Sequence, residues 1–241
     1  MQEMTNITEK IPAVQPAVIR VAFKKTGSLQ YISHLDLMRT MSRLVIRAGI
    51  NVFYTEGFNP RPKLVFALPL SVGTESVCEL LDIKLNPQTP DCAEILSKLR
   101  AQSTPELDFT DVYIPERKFK EIAYSEYEIC INTKNSDVAE LTDKINHLCD
   151  GSVIILKRTK TGESERDIKD LIKSLRACVT DGKIIINTIL SADSEDYLNP
   201  EYIVKAIKAK FGVPSDDISP SGDSYSIKRM AVTDSNGEVF R

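Results

Sequence analysis

Arg39, Arg43 and Arg47 recur at intervals of four residues. On a helix each step advances about 40° at roughly 100° per residue, so the three guanidinium groups form one drifting stripe that can face a single ligand. Planar guanidinium forks hold phosphate oxygens in pairs, which makes a phosphate-bearing ligand the natural match. The segment GFNPRPK (57–63) adds two more cations. Pro60 fixes its own φ near roughly −65° and biases Asn59 toward extended backbone, and Pro62 does the same to Arg61. Arg61 and Lys63 are therefore held out on a stiff loop at small further entropic cost on binding. Phe58 offers a flat apolar face on which a base could stack. Plainer readings compete: a solvated helix face for the arginines, and a rigid connection between strands with Phe58 in the core. His34 stands at the start of the same helix, where the macrodipole disfavours its protonated form. A neutral imidazole there, beside Ser33 and Asp36, could serve as an acid or base, although capping or packing is the commoner role. His147, beside Leu148, reads as partly buried structure.

The charge distribution favours the ligand reading. From Arg20 to Lys63 there are eight basic residues (Arg20, Lys24, Lys25, Arg39, Arg43, Arg47, Arg61, Lys63) against Asp36 and Glu56, on a chain whose formal net charge is −3. A local positive field on an otherwise acidic chain focuses potential in one place and suits a polyanion such as RNA. The five cysteines, Cys78, Cys92, Cys130, Cys149 and Cys178, are odd in number and widely spaced, the pattern of reduced, buried thiols. No CxxC pair occurs, and no GxGxxG, Walker, HExxH or GxSxG motif. The residues thus imply no metal, no cofactor and no ready-made catalytic site. No run approaches the roughly 20 apolar residues of a membrane span, and MQEMTNITEKIPAVQP lacks the apolar core of a secretory signal. The expectation is a cytoplasmic protein with no membrane contact.

The elements that must position these residues follow from periodicity. Residues 1–16 read as a flexible N-terminus. AVIRVAFKK (17–25) reads as a strand with Ile19, Val21 and Phe23 on one side, followed by a Thr26-Gly27-Ser28 turn and extended LQYIS. Ser33 caps a helix to Ala48, with Asp36 completing an approximate capping box and Gly49 closing it. Its apolar residues, Leu35, Leu37, Met38, Met41, Leu44, Val45 and Ala48, spread over a broad face read as core. NVFYT (51–55), LVFALPL (64–70) and VCELLDIKLN (77–86) read as extended, and a helix from Thr89 or Asp91 to about Ala101 turns Ala93, Leu96 and Leu99 inward. LDFTDVYI (107–114) closes the unit, and PERKFKE (115–121) reads as a linker.

The second half repeats the order. YEICINT (127–133) is a strand, Val138, Leu141, Ile145 and Leu148 mark a helix, and SVIILKR (152–158) is a strand followed by a polar loop, TKTGESE. Leu175 to Thr180, an Asp181-Gly182 turn and KIIINTIL form a hairpin. Ile168, Leu171, Ile172 and Leu175 also fit a helix, leaving 168–175 open between helix and strand. A helix from Pro200 to Phe211 and a last strand, SYSIKRMAV (224–232), complete it. The fold class expected is α+β, with two ferredoxin-like (split βαβ) units in tandem, residues 17–116 and 121–235.

The segments YISHLDLMRTMSRLVIRAGI and YTEGFNPRPKLVFALPLSVGTESVCELLDI resemble the radical-SAM-associated (radical-SAM-linked) family, a bacterial domain of unknown function. The resemblance is strong over the first half and weak over the second. It implies a protein fused to, or encoded beside, a radical SAM protein. The chain has no CxxxCxxC cluster motif, so any such chemistry belongs to that partner. The double ferredoxin-like layout is also similar to that of CRISPR RNA-processing endoribonucleases, an analogy of fold alone. The leading expectation is a non-catalytic accessory module that binds RNA through Arg39, Arg43, Arg47, Arg61 and Lys63, with Phe58 stacking. The alternatives are a metal-independent endoribonuclease using His34 and a protein-binding scaffold whose arginines meet an acidic partner.

Overall fold

The computed structural model describes residues 16–86, 90–134, 137–159, 162–193, 196–216 and 222–241. Residues 1–15, expected as a flexible N-terminus, and Thr89, one of the two expected helix starts, lie outside the described residues.

Strand β1 (Val18–Lys25) buries Ile19, Val21 and Phe23 completely, as its alternation requires. Gly27–Tyr31 then forms a 3-10 helix where extended chain was expected. Gly27 sits at φ 59 and reverses the chain, its N–H held by Glu75 Oε1 at 2.7 Å and its carbonyl by Gln30 Nε2 at 3.0 Å. Helix α1 (His34–Arg47) starts where the capping signal places it. Ser33 Oγ accepts the Asp36 N–H at 3.1 Å, and Gly49 takes a left-handed φ of 66 just past the end. The expected strand 51–55 is reduced to isolated bridges, Val52 to Leu85 and Tyr54 to Pro62. The segment folds back on the proline loop through Thr55 N–H to Arg61 O and Lys63 N–H to Phe53 O, and Pro60 and Pro62 have no N–H with which to extend a ladder.

Strands β2 (Leu64–Phe66) and β3 (Thr74–Lys84) follow, then helix α2 (Cys92–Arg100), capped by Asp91. In α2 the buried positions are Ile95 and Leu99, with Leu96 partly covered, and Ala93 is exposed rather than inward. After β4 (Leu107–Tyr113) the expected linker is tied down: Phe119–Glu121 forms a 3-10 turn and Arg117 bridges Glu121 and Asp234.

The second half comprises β5 (Tyr124–Asn132), α3 (Val138–Asn146), β6 (Ile154–Thr159), β7 (Gly162–Asp167), β8 (Ile172–Thr180), β9 (Lys183–Ser191), α4 (Glu201–Phe211) and β10 (Ser224–Thr233). The expected polar loop after β6 supplies β7, which pairs with β6 as a two-stranded hairpin. Of its residues, 160–161 lie outside the described ones. The open stretch 168–175 resolves into a 3-10 turn over Lys169–Leu171 and then strand, because pairing with β9 overrides the helical spacing of its apolar residues. Asp181 (φ 49) and Gly182 (φ 72) make the β8–β9 turn.

The main sheet has eight strands in the order β4-β1-β3-β10-β5-β9-β8, with β2 also on β3. Within each half the strands run 4-1-3-2 and all neighbours are antiparallel. The halves share one sheet because β3 is long enough for two partners on one edge. Its Leu81–Ile83 end pairs with β2, while Thr74–Ser76 pairs in parallel with Ile227–Arg229 of β10. Each half packs its own helices over its own apolar core. A third cluster, including Leu80, Ile122, Val232 and Phe240, joins the halves. Both outer strands are capped by side chains. Arg100 donates to the carbonyls of Phe109 (2.7 Å) and Thr110 (3.2 Å) on β4, and the Asn146 amide exchanges two hydrogen bonds with Ala177 on β8.

At the junction Arg229 is 1% exposed. It donates to Glu79 Oε1 (2.8 Å), the Tyr127 hydroxyl (3.1 Å) and the Pro69 carbonyl (2.8 Å). Burial raises the pKa of Tyr127, so the phenol stays neutral, and pushes the Cys78 thiol up to about 12. Burial likewise lowers the Lys25 pKa, opposed by nearby Glu79.

Two outcomes are expected. Arg229→Ala or Glu79→Ala leaves one charge buried and unpaired and lowers unfolding free energy by about 3–5 kcal/mol, whereas Arg229→Met with Glu79→Leu costs less than either single change. Urea denaturation of the three variants checks this, and a double variant weaker than both singles contradicts it. Ser33→Ala removes the α1 cap and lowers stability by about 0.5–2 kcal/mol at neutral pH. The Ser33 hydroxyl donates to Asp36 at 2.7 Å and holds that carboxyl below its usual pKa. A depressed carboxylate stabilises the fold above its unfolded pKa and loses that contribution as pH falls through its folded value. The gap between wild type and Ser33→Ala therefore narrows in acid, and NMR titration finds the Asp36 pKa raised in the variant.

Candidate functional site

Helix α1 has two apolar faces. Leu37, Met41, Leu44, Val45 and Ala48 are buried in the first-half core. Leu35, Met38, Ser42 and Ile46 turn away from it, and at roughly 100° per residue they share a face flanked on one side by Arg39 and then Arg43. This second face forms one wall of an open groove of about 340 Å³. The other wall is Tyr54, Pro60, Arg61 and Pro62. The groove thus brings together Arg39, Arg43 and Arg61 from a helix and a proline-stiffened loop.

The three arginines differ in what they already hold. Arg39 Nη1 lies 3.2 Å from Asp36 Oδ1, with both side chains more than half exposed. A pair of that kind contributes about 0–1 kcal/mol and gives way readily to a stronger anion. Among the described residues, Arg43 and Arg61 have no carboxylate within ion-pairing distance. The Arg61 backbone is fixed by its N–H to Thr55 Oγ1 at 3.1 Å, leaving the guanidinium out in solvent. Ser42 Oγ donates to the Met38 carbonyl at 2.8 Å, so its hydroxyl is already satisfied.

The remaining expected residues lie elsewhere. Arg47, a further step round the helix, turns toward the Gln102 carbonyl at 3.5 Å and does not line the groove. Lys63 and Phe58 are also outside its lining, and both are exposed. Phe58 is 106% exposed and so is not the core residue of the plainer reading. The ring of His34 packs edge-on against Phe66 with centroids 5.1 Å apart. Its neighbours Ser33 and Asp36 are bonded to each other, and Asp36 also accepts from Arg39.

Three of the eight cations in the basic stretch are engaged elsewhere, Arg20 and Lys25 inside the fold and Lys24 in a half-exposed surface pair. Arg20 is 1% exposed and paired bidentately with Asp82 at 2.7 and 3.0 Å. Lys24 pairs with Asp108 at 3.0 Å, and the buried Lys25 ammonium faces the carbonyls of Gln30 and Thr74. The surface field is therefore smaller than the raw charge count, but it is concentrated on α1 and the loop.

Tyr54, which no sequence signal marks, is a wall residue, and Leu35 and Met38, expected on the core face of α1, line the groove instead. Ile46 was the available signal. It lies nearly opposite Met41 and Ala48 on the helical wheel, so an α1 with a single apolar stripe could not have buried it.

No helix among the described residues is long and apolar enough to cross a membrane. No curated protein matches the chain. Among solved structures, a crystal structure of a Cbf5-Nop10-Gar1 complex aligns at 12% identity and TM-score 0.47, covering 89% of this chain and 48% of that one. The archaeal box H/ACA sRNP Nop10-Cbf5 complex aligns at 14% and 0.44, covering 90% and 48%. The chain thus spans about half the length of these structural neighbours. An unknown protein from Galdieria sulphuraria aligns at 11% and 0.25, covering 89% and 99%. Likenesses at this level carry no functional argument. The sequence itself is more specific: residues 18–200 match the family model described as "Uncharacterized protein conserved in bacteria (DUF2344)". With the match running through both halves of the sheet, this chain belongs to the DUF2344 family.

Proposed function

We propose that this chain is a non-catalytic accessory module that binds RNA through the groove between α1 and the 54–62 segment. The observation that carries the reading is the convergence of Arg39, Arg43 and Arg61 on one groove from two separately stiffened elements. Guanidinium groups held in place before binding lose little entropy on meeting phosphate. Arg47 and Lys63, outside the groove lining, add exposed positive charge on the same helix and loop, and Phe58 supplies an exposed ring on the loop. We read each half as a ferredoxin-like unit, over 17–116 and 121–235, supported by the repeated 4-1-3-2 strand order. The radical SAM partner is part of the same proposal and rests on the resemblance of the SHLDL helix and the GFNPRPK loop alone. In this reading the partner performs the reaction and the chain presents the substrate. A nuclease role for His34 gains no support from its packing on Phe66.

Fluorescence anisotropy with a labelled RNA tests the proposal. Affinity is expected to fall steeply with salt. Arg43→Glu with Arg61→Glu is expected to weaken binding and to reduce the slope of log K against log salt by about 2, one for each phosphate no longer neutralised. Binding that ignores salt, or that survives the double reversal, removes the site assignment. Recovery of a stable protein partner after nuclease treatment, with no RNA bound by the isolated chain, replaces the proposal with the scaffold reading.

A further inference from the structure

We infer that the groove is built for a single-stranded segment, with an unstacked base seated on its apolar floor and the adjoining phosphates on its arginines. The inference rests on the RNA-binding reading and specifies which form of RNA the site takes. A surface that only holds phosphates has no use for exposed hydrocarbon. Here Leu35 is 47% exposed, Ile46 49% and Tyr54 42%, all on the same groove as Arg39, Arg43 and Arg61. Polar residues at Leu35 and Ile46 would cost the core face of α1 nothing, since Leu37, Met41, Leu44 and Val45 already pack there. Apolar side chains at these positions gain burial only when something covers them.

A duplex cannot use that floor. Its bases are stacked on one another and its outer surface offers phosphate and sugar, so only the arginines would be engaged. A single strand exposes both chemistries at once: a charged backbone and free π-faces. The dimensions agree. Arg39 and Arg43 are one helical step of four residues apart, a rise of about 6 Å, comparable to one extended nucleotide of backbone. A volume of about 340 Å³ lies at the small end of the roughly 300–1,000 Å³ that ligand pockets occupy and suits one nucleotide better than a helix of them. Pro60 and Pro62 line the loop wall and restrict its backbone, so little of it has to be ordered on binding. An acidic amphipathic peptide would also satisfy charge and floor, but the two unpaired guanidiniums and the tyrosine ring match phosphate and base with no further group required.

The test uses the full chain, a 5′-fluorescein-labelled 12-nucleotide RNA of mixed sequence, and the same RNA annealed to its complement. The single strand is expected to bind at least about tenfold more tightly than the duplex at equal salt. Tyr54→Ala, and separately Leu35→Ala, should weaken single-strand binding by about tenfold and leave duplex binding and the salt slope unchanged. Both positions are exposed, and circular dichroism confirms that the variants fold. Equal or tighter duplex binding, or variants that weaken both forms alike, overturns this inference while the RNA-binding reading stands. Failure of both RNAs to bind overturns both, as does binding only of an acidic Glu/Leu peptide.

Discussion

The architecture depends on a buried ion pair. Arg229 on β10 and Glu79 on β3 belong to different halves of the chain, and both are nearly inaccessible to water. Taking two charges into a low-dielectric interior costs several kcal/mol per ion, and their attraction offsets this only when the remaining donors are also satisfied. The Tyr127 hydroxyl and the Pro69 carbonyl meet that condition. The arrangement compensates for a short seam, since β3 and β10 pair in parallel over only three residues. Arg229 also reaches past its own seam. Pro69 lies just beyond β2, the strand that follows the proline loop, so the group joining the halves also holds the chain where it leaves that strand.

A second charged device closes the back of the junction. Arg20 on β1 pairs with Asp82 on β3 and donates to the Arg117 carbonyl, and its guanidinium carbon lies 4.0 Å from the centre of the Phe119 ring and 5.3 Å from that of Phe240. One of its nitrogens, Nη1, is buried without a hydrogen-bond acceptor. The ring faces supply part of what a missing oxygen would. Arg117 in turn holds Asp234, so the connection between the halves and the C-terminal segment are fastened to the first strand of the chain.

What could be read from the sequence was what is decided locally. The α1 cap at Ser33, its stop at Gly49, the Asp181-Gly182 turn and most strand alternations depend on a few adjacent residues, and the structure carries them all. The errors share a different cause. Arg20 alternates with Ile19 and Val21, so local pattern sends it outward, and only residues far along the chain, Phe119 and Phe240, show that the outer face is covered. The stretch 162–167 alternates no apolar residues, so nothing in it announces β7. The apolar spacing of 168–175 is helical, yet the neighbouring strand decides its conformation. In the candidate site, the arginine stripe and the stiff loop were legible and their meeting was an inference from proximity in the chain. The groove floor was not legible, because periodicity locates apolar residues on a helix without saying which of two faces meets the core.

The side chains that cap the two outer strands bear on how the molecule behaves in company. An open sheet ends in rows of free backbone donors and acceptors, which other chains can extend into aggregates or fibres. Arg100 occupies carbonyls of β4 at one end, and the Asn146 amide mimics a neighbouring strand at Ala177 of β8 at the other. A partner strand would have to displace these bonds before adding its own. Strand addition at the two ends of the sheet therefore carries the added cost of breaking these bonds, and recognition is left to side chains.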